Sequence, residues 1–162
     1  MKGDTTISKK ILVSKSPLET QRIGKKLAAR LEKGDVLALV GDLGSGKTTF
    51  VKGLAEGLGI SSDQVNSPSF VICQEYEGHL PLYHFDLHRM TGETDLQRLE
   101  IEVGLGEYLD GDGVTAIEWA NRASSLLPSE YLEVLFRITS DGSRELSFEP
   151  KGKRYQRKVN QL

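Results

Sequence analysis

Two segments of the chain are apolar at almost every position. The run VLALV has no polar residue, and VTAIEW has only one threonine and one glutamate among apolar residues. Strands that are covered on both faces of a parallel or mixed sheet show this pattern, whereas strands with one exposed face alternate. We therefore predict a central strand at VLALV and a second buried strand at VTAIEW.

Two further segments carry the pattern of helices. In KTTFVKGLAEGLG, the residues Phe50, Leu54 and Leu58 recur at every fourth position and share one face. The segment SPLETQRIGKKLAARLEKG has helix signals at both ends: Ser16 as N-cap, Pro17 in the first turn, Glu19 closing a capping box and Gly34 as the stop. We predict one helix over each segment.

The remaining pattern predicts short strands and short helices. ISKKILVSK indicates a first strand, PSFVICQEY and LPLYHFDL indicate a hairpin, and YLEVLFRITSDGSRELSFEP indicates a second hairpin with an Asp-Gly turn. ETDLQRLEIEVGLGEYLDG favours one or two helices broken near Gly104 and Gly106. Together these elements predict a single α/β domain over residues 1–150, with a mixed sheet and helices on both faces.

Composition narrows the class of protein. The formal net charge of −2 argues against a broad basic face that grips nucleic acid. The only cysteine, Cys73, excludes an internal disulfide and is interpreted as a core or edge-strand residue rather than a nucleophile. Because no apolar run is long enough for a signal peptide or a membrane span, we expect a soluble, cytoplasmic protein.

Residues 151–162 form a basic C-terminal tail. They contain five lysines or arginines and no acidic residue, so the preceding domain is distinctly acidic. A frayed, solvated terminus is the favoured interpretation, and an arm that docks on a partner or contacts RNA is the alternative.

The segment GDLGSGKT, residues 41–48, fits the phosphate-loop pattern GxxxxGK[ST]. Glycines allow backbone N–H groups to surround a polyphosphate, and the following helix directs its positive end toward it. Lys47 would reach the terminal phosphates, and Thr48 offers a hydroxyl to Mg²⁺. The predicted buried strand before the loop and helix after it are the context that this motif requires.

Two strand ends supply carboxylates for such a site. LYHFD ends in Asp86 and VTAIE ends in Glu118, each where a strand in an open α/β sheet would face the phosphate loop. Nucleotide hydrolysis needs acidic groups at Mg²⁺ and at the attacking water. Both residues are candidate catalytic groups and metal ligands, and the pattern leaves open which one orients water.

Several neighbouring residues have two interpretations. His84, Asp86 and His88 alternate, which could describe a transition-metal site, but histidines beside a magnesium carboxylate explain the pattern better. Ser67 or Ser69 in SPSF could sense phosphate or metal, or could form a Ser-Pro turn. Trp119 is interpreted either as a core-packing residue or as a neighbour of the nucleotide. Arg89 and Arg122 are interpreted either as surface ion-pair partners or as contacts of the phosphates.

GDLGSGKTTF, NSPSF, YHFDLHRM and IEWA, in this order, resemble the TsaE (YjeE) family over nearly the whole chain. The resemblance implies a small P-loop NTPase that works with TsaD and TsaB to make N6-threonylcarbamoyladenosine beside the anticodon of ANN-decoding tRNAs, contacting tRNA only through these partners. It implies Mg²⁺ at Thr48 and Glu118, a need for Asp86 in hydrolysis, and Trp119 close to the nucleotide. It further implies that ATP is held by Gly41, Asp42, Leu43, Gly44, Ser45, Gly46, Lys47, Thr48 and Thr49.

Two positions depart from the family pattern, which often has Thr at Ser69 and Tyr at His88.

Three other functions use a similar loop. A small-molecule kinase would need an acceptor pocket and a closing lid, for which RMTGETDLQR is a meagre candidate. A nucleotide-binding module without useful hydrolysis would leave Asp86 and Glu118 with less to do. A GTPase is disfavoured because no Asn-Lys-x-Asp segment is present.

Overall fold

The computed structural model describes residues 8–67 and 72–162. The strands within these ranges are β1 Lys10–Ser14, β2 Val36–Gly41, β3 Cys73–Tyr76, β4 Leu82–Asp86, β5 Val114–Glu118, β6 Tyr131–Ile138 and β7 Arg144–Lys151. The α-helices are α1 Pro17–Ala28, α2 Lys47–Gly57, α3 Gly92–Arg98, α4 Leu105–Leu109 and α5 Lys153–Asn160. Short turns of other helix types are Ser62–Gln64 and Ala120–Leu126, both 3₁₀, and Leu99–Val103, a π-helix.

The strands form one mixed sheet in the order β1-β7-β6-β2-β5-β4-β3. Strand β2 runs parallel to both of its neighbours, β5 and β6, and β4 runs parallel to β5. The pairs β1–β7, β6–β7 and β3–β4 are antiparallel. The apolar runs of β2 and β5 therefore lie at the centre of the sheet, as their pattern predicts, and both predicted hairpins are confirmed.

Helices cover the sheet on both faces, which confirms the predicted α/β architecture. One core cluster joins the sheet to α1, α2 and α5 and includes Leu27, Phe50 and Tyr155. A second cluster lies on the opposite face, where Leu99 and Leu105 pack on Phe85. The predicted helical break falls at Gly104, which has φ 73°, whereas Gly106 lies inside α4.

Helices α1 and α2 pack with their backbones in close contact, because glycines occupy the crossing. A Cβ atom at Gly53 would collide with the carbonyl oxygen of Gln21 on α1. A Cβ at Gly24 would in turn collide with the carbonyl oxygen of Phe50 on α2. This packing fixes α2, and with it the end of the phosphate loop, against the rest of the domain.

Helix α1 is shorter than predicted, ending at Ala28 instead of Gly34. The carboxylate of Asp35 accepts a hydrogen bond of 2.7 Å from the backbone N–H of Glu32 and so stabilises a turn after the helix. Gly34, at φ 84°, provides the bend that leads into β2. The Ser16 cap is as predicted, since Ser16 Oγ accepts from Glu19 N at 3.1 Å. Glu19 Oε2 accepts from Lys15 N at 2.6 Å instead of from Ser16 N, so the second bond of the predicted capping box is shifted by one residue.

The interpretation of residues 151–162 as a frayed terminus is wrong. Most of the tail forms α5, whose Tyr155 and Val159 are each 1% exposed in the core. The Tyr155 hydroxyl accepts a hydrogen bond of 2.9 Å from the backbone N–H of Val36, at the start of β2. Fully buried Asp35 forms ion pairs of 2.8 Å with Arg154 and 3.2 Å with Lys158, so part of the basic charge is neutralised inside the domain.

Cys73 lies on the edge strand β3 and is partly buried. Burial raises the pKa of its thiol to about 12, which suits the structural interpretation rather than that of a nucleophile. Within the described ranges, every helix is too short or too polar to cross a membrane.

Candidate functional site

The phosphate-loop motif connects the end of β2 to the start of α2. Gly44 and Gly46 have φ values of 78° and 105°, a left-handed conformation that strains other residues. A Cβ at Gly41 would lie 2.7 Å from the Phe136 carbonyl oxygen and from Ser45 Oγ. Gly46, the N-cap of the eleven-residue α2, has no side chain to bind the first backbone N–H groups of the helix, so these groups can bind an anion. The loop therefore fits a polyphosphate.

Lys47 holds its ammonium group inside the loop. Its Nζ donates hydrogen bonds to the carbonyl oxygens of Gly41 at 2.6 Å and Asp42 at 2.9 Å. Burial lowers the pKa of this ammonium, and the carboxylates of Glu118, Asp86 and Asp42 partly offset the effect. The cation is thus kept beside the place where phosphate charge would be bound.

Thr48 and Glu118 join the first turn of α2 to the end of β5. Thr48 Oγ1 donates a hydrogen bond of 2.6 Å to Glu118 Oε1, and Glu118 is 2% exposed. A hydroxyl and a carboxylate are oxygen ligands of the kind that Mg²⁺ prefers beside bound phosphates. The donor set therefore fits a magnesium ion.

Asp86 lies next to Glu118, because β4 and β5 are parallel and these two residues are register partners. Asp86 Oδ2 accepts a hydrogen bond of 2.5 Å from Ser67 Oγ, and Oδ1 accepts one of 3.0 Å from the backbone N–H of His88. Burial acts to raise the pKa of Asp86, but the hydrogen bonds from Ser67 and His88 outweigh it and lower the pKa below its usual value. The side chain is consequently an acceptor at neutral pH.

The two histidines of YHFDLHR contact different carboxylates. His84 Nε2 lies 3.3 Å from Glu118 Oε2, and His88 Nδ1 lies 3.0 Å from Asp86 Oδ1. Across residues 8–67 and 72–162, no group of three or more His, Cys, Asp or Glu side chains is placed to hold a metal ion. Each imidazole therefore contacts one of the two carboxylates, and the histidines do not form a metal-binding cluster within the described residues.

Trp119 lies between two cations. Its ring centroid is 4.5 Å from Lys47 Nζ and 4.7 Å from the Arg122 guanidinium carbon. Trp119 has φ 59°, the only left-handed conformation of a non-glycine residue in the described chain. Arg122 also donates to the carbonyl oxygens of His88 and Met90, so its contacts here are to backbone and ring rather than to a surface carboxylate. Arg89 donates from Nε to His88 Nε2 at 3.3 Å.

Two cavities adjoin the phosphate loop. One of about 170 Å³ is lined by Thr48, Glu118 and Trp119 together with loop residues. Another of about 280 Å³ opens on the other side of Gly46, between the β1–α1 corner, Thr49 and Arg144. Arg144 Nη2 also donates to the Gly44 carbonyl oxygen at 3.1 Å. Sequence reasoning missed Arg144 and the β1–α1 corner, because β1 and β7 meet only through long-range pairing.

The structure brings most of the predicted site residues together. Five of them lie close together at the end of the sheet where β2, β4 and β5 finish: Lys47, Thr48, Asp86, Glu118 and Trp119. Ser67 contacts Asp86, whereas Ser69 lies outside the described residues. Of the loop residues, Ser45 is buried and Leu43 is 82% exposed.

Comparisons with known proteins identify a family of similar sequences. The family model described as "Threonylcarbamoyl adenosine biosynthesis protein TsaE" matches residues 14–146. Proteins named "tRNA threonylcarbamoyladenosine biosynthesis protein TsaE" are similar to this chain. The Bacillus subtilis protein of that name is 47% identical in sequence, over an alignment that covers 91% of this chain and 89% of the relative. The Treponema pallidum protein of that name is 41% identical, covering 83% and 96%.

A solved structure is also similar. The crystal structure of Bacillus subtilis YdiB superposes with a TM-score of 0.78 at 40% sequence identity, covering 94% of this chain and 93% of the other. This match, together with the loop between β2 and α2, confirms the predicted P-loop NTPase fold.

Proposed function

Because the chain belongs to the TsaE family, we propose that it is a Mg²⁺-dependent ATPase subunit in N6-threonylcarbamoyladenosine synthesis. In this proposal it acts with TsaD and TsaB on the adenosine beside the anticodon of ANN-decoding tRNAs. The observation that carries the proposal is the convergence of Lys47, Thr48 and Glu118 at the N-terminus of α2. The names of the relatives support the pathway, and the geometry supports the chemistry.

ATP phosphates would be bound by the backbone of residues 41–49 and by Lys47. The Lys47 ammonium already contacts the Gly41 and Asp42 carbonyl oxygens, so binding would exchange these acceptors for phosphate oxygens. Thr48 and Glu118 would hold Mg²⁺, which when bound neutralises charge that develops on the transferred phosphate. Both groups are fixed before binding, because they are hydrogen-bonded to each other.

Asp86 would orient the attacking water. Ser67 and His88 keep its pKa low, so the residue accepts hydrogen bonds and is a weak proton acceptor. Positioning of water, rather than full proton removal, is what phosphoryl transfer asks of such a group. We expect slow turnover by the isolated chain, because Asp86 is already held by Ser67 Oγ at 2.5 Å.

The nucleoside would occupy the 280 Å³ cavity on the other side of the loop. Gly44, Gly46 and Thr49 line both this cavity and the 170 Å³ cavity beside Thr48 and Glu118, so the two cavities adjoin along the loop. Arg144 closes the opposite wall and is anchored to the Gly44 carbonyl oxygen. The formal net charge of −2 disfavours broad contact between this chain and RNA. This supports the proposal that the partner subunits bind the tRNA.

Phosphate release from ATP tests the proposal, measured for the purified chain alone and with TsaB plus TsaD. We expect turnover that rises with the partners and that Lys47→Ala abolishes, together with loss of tRNA modification. Lys52→Ala is the matched control, since Lys52 lies on the same helix outside the loop. Thermal unfolding of both variants confirms that they are folded.

Other outcomes would contradict the proposal. Modification that survives without hydrolysis would disprove the role of ATP turnover. Turnover indifferent to the partners would favour a small-molecule kinase, to be tested by phosphate transfer to acceptors. Nucleotide binding without turnover under any condition would favour a binding module.

A further inference from the structure

His84 is a buried polar side chain that the proposed chemistry does not use. It lies on β4 and is 0% exposed. Neither ring nitrogen has a hydrogen bond to another described residue, and the Glu118 carboxylate lies close by, with Nε2 and Oε2 3.3 Å apart. A buried imidazole with one close polar neighbour calls for an explanation, because burial of an unpaired polar group costs free energy.

Strand register explains why these two side chains meet. His84 pairs with Ala116 across the parallel β4–β5 ladder, and Asp86 pairs with Glu118. His84 and Glu118 are therefore diagonal neighbours on the same face of the sheet, within reach of a long side chain. The contact follows from the central architecture of the sheet and not from a flexible loop.

We infer that His84 is a positioning residue that orients the Glu118 carboxylate for Mg²⁺. The inference rests on the proposed function, because it concerns the metal of that site. Glu118 Oε1 accepts from Thr48, while Oε2 faces His84 Nε2. A carboxylate contacted at both oxygens cannot rotate freely, so its Oε1 stays directed toward the Thr48 hydroxyl.

The geometry also defines which nitrogen carries hydrogen. Nε2 faces a carboxylate oxygen at 3.3 Å, so the positioning role requires the tautomer with hydrogen on Nε2, since two lone pairs would repel each other. From 3.3 Å, an N–H at this position would form a hydrogen bond to Oε2 if either side chain moved slightly. Partners that orient a metal ligand from behind are typically worth 10–100-fold in metal affinity.

The test compares side chains at position 84 that do or do not present an N–H group. His84→Gln keeps a donor, His84→Leu removes it, and His84→Phe is a second variant without a donor that keeps a planar ring. Each full-length protein is titrated with Mg²⁺ at a fixed ADP concentration. The readout is the fluorescence of Trp119, the only tryptophan, which lines the cavity with Thr48 and Glu118. ADP affinity in EDTA and thermal unfolding are measured in parallel.

We expect His84→Leu and His84→Phe to raise the half-saturating Mg²⁺ concentration by about 10–100-fold. His84→Gln should restore most of this loss. ADP affinity in EDTA should be the same for every folded variant, because Glu118 acts only on the metal. If one variant without a donor fails to fold, the other carries the comparison.

Three results would overturn the inference alone. The variants without a donor could bind Mg²⁺ with wild-type affinity, or His84→Gln could lose as much Mg²⁺ affinity as they do. As a third result, the variants without a donor could lose as much ADP affinity in EDTA as they lose Mg²⁺ affinity. The third would mean that His84 only fills space. Wild-type protein that binds ADP equally well with and without Mg²⁺ would instead overturn the proposed function, and this inference with it.

Discussion

Thr48 Oγ1 and Glu118 Oε1 lie 2.6 Å apart, although 70 residues separate them in the chain. The hydrogen bond connects the first turn of α2 with the last residue of β5. Because one group follows the phosphate loop and the other ends a central strand, the candidate metal ligands are assembled by the sheet itself. The hydroxyl is therefore both a structural donor and a candidate ligand.

Thr48→Ala is expected to abolish Mg²⁺-dependent ATP turnover, while Thr48→Ser retains most of it because serine keeps the hydroxyl. The alanine variant also leaves Glu118 without this donor, which costs about 1–3 kcal/mol of unfolding free energy. Mg²⁺ titration of phosphate release and urea unfolding separate the two effects. Equal turnover by the alanine and serine variants would show that the hydroxyl is not a metal ligand.

Gly53→Ala is expected to destabilise the fold by about 1–3 kcal/mol or more, because the new methyl group collides with the backbone of α1. Gly106→Ala is the matched control. It lies in α4 with nothing within 4 Å of the added Cβ, so alanine should be neutral or stabilise by up to about 1 kcal/mol. Thermal unfolding measures both. Similar midpoints would mean that α1 and α2 separate at little cost.

Tyr155→Phe removes the hydroxyl that accepts from the Val36 N–H and leaves that buried donor unpaired. We expect a loss of about 1–3 kcal/mol of unfolding free energy in urea. Arg157→Gln, on the exposed side of the same helix, should stay within about 0.5 kcal/mol of wild type. Wild-type stability of Tyr155→Phe would show that α5 does not support the start of β2.

Asp141 predicts a stability difference that depends on pH. Hydrogen bonds from Thr139 and Ser143 lower its pKa from the ordinary 3.8 to about 2. Because folding favours the carboxylate, its contribution is fully present well above pH 3.8 and is lost as the pH falls from 3.8 toward 2. Wild type should therefore exceed Asp141→Asn in urea midpoint at pH 6, and the two midpoints should converge as the pH approaches 2. A constant difference would contradict the shift.

The sequence predicted the centre of the sheet and the loop because their signals are local. VLALV and VTAIE are continuous apolar runs, and the Asp-Gly turn marks the second hairpin. The contact between His84 and Glu118 was not predictable, because it depends on β4 lying beside β5 in register. A single chain pattern does not specify which strands become neighbours.

The error at the C-terminus has a different cause. Tyr155, Val159 and Leu162 follow helical spacing and are buried in the same core. The five surrounding cations outweighed this weak apolar pattern in the sequence interpretation. Two of them, Arg154 and Lys158, are explained by Asp35, whose position at the foot of β2 is visible only in the fold.

Two contacts constrain how the chain folds during its synthesis: the pairing of β1 with β7 and the hydrogen bond between Tyr155 and Val36 at the start of β2. Lys10 pairs with Phe148, so β1 can join the sheet only after residues much later in the chain have been synthesised. The last helix, which closes the base of β2, leaves the ribosome later still. The nascent chain must therefore carry an incomplete sheet until β7 and α5 have emerged, and the domain can complete its folding only afterwards.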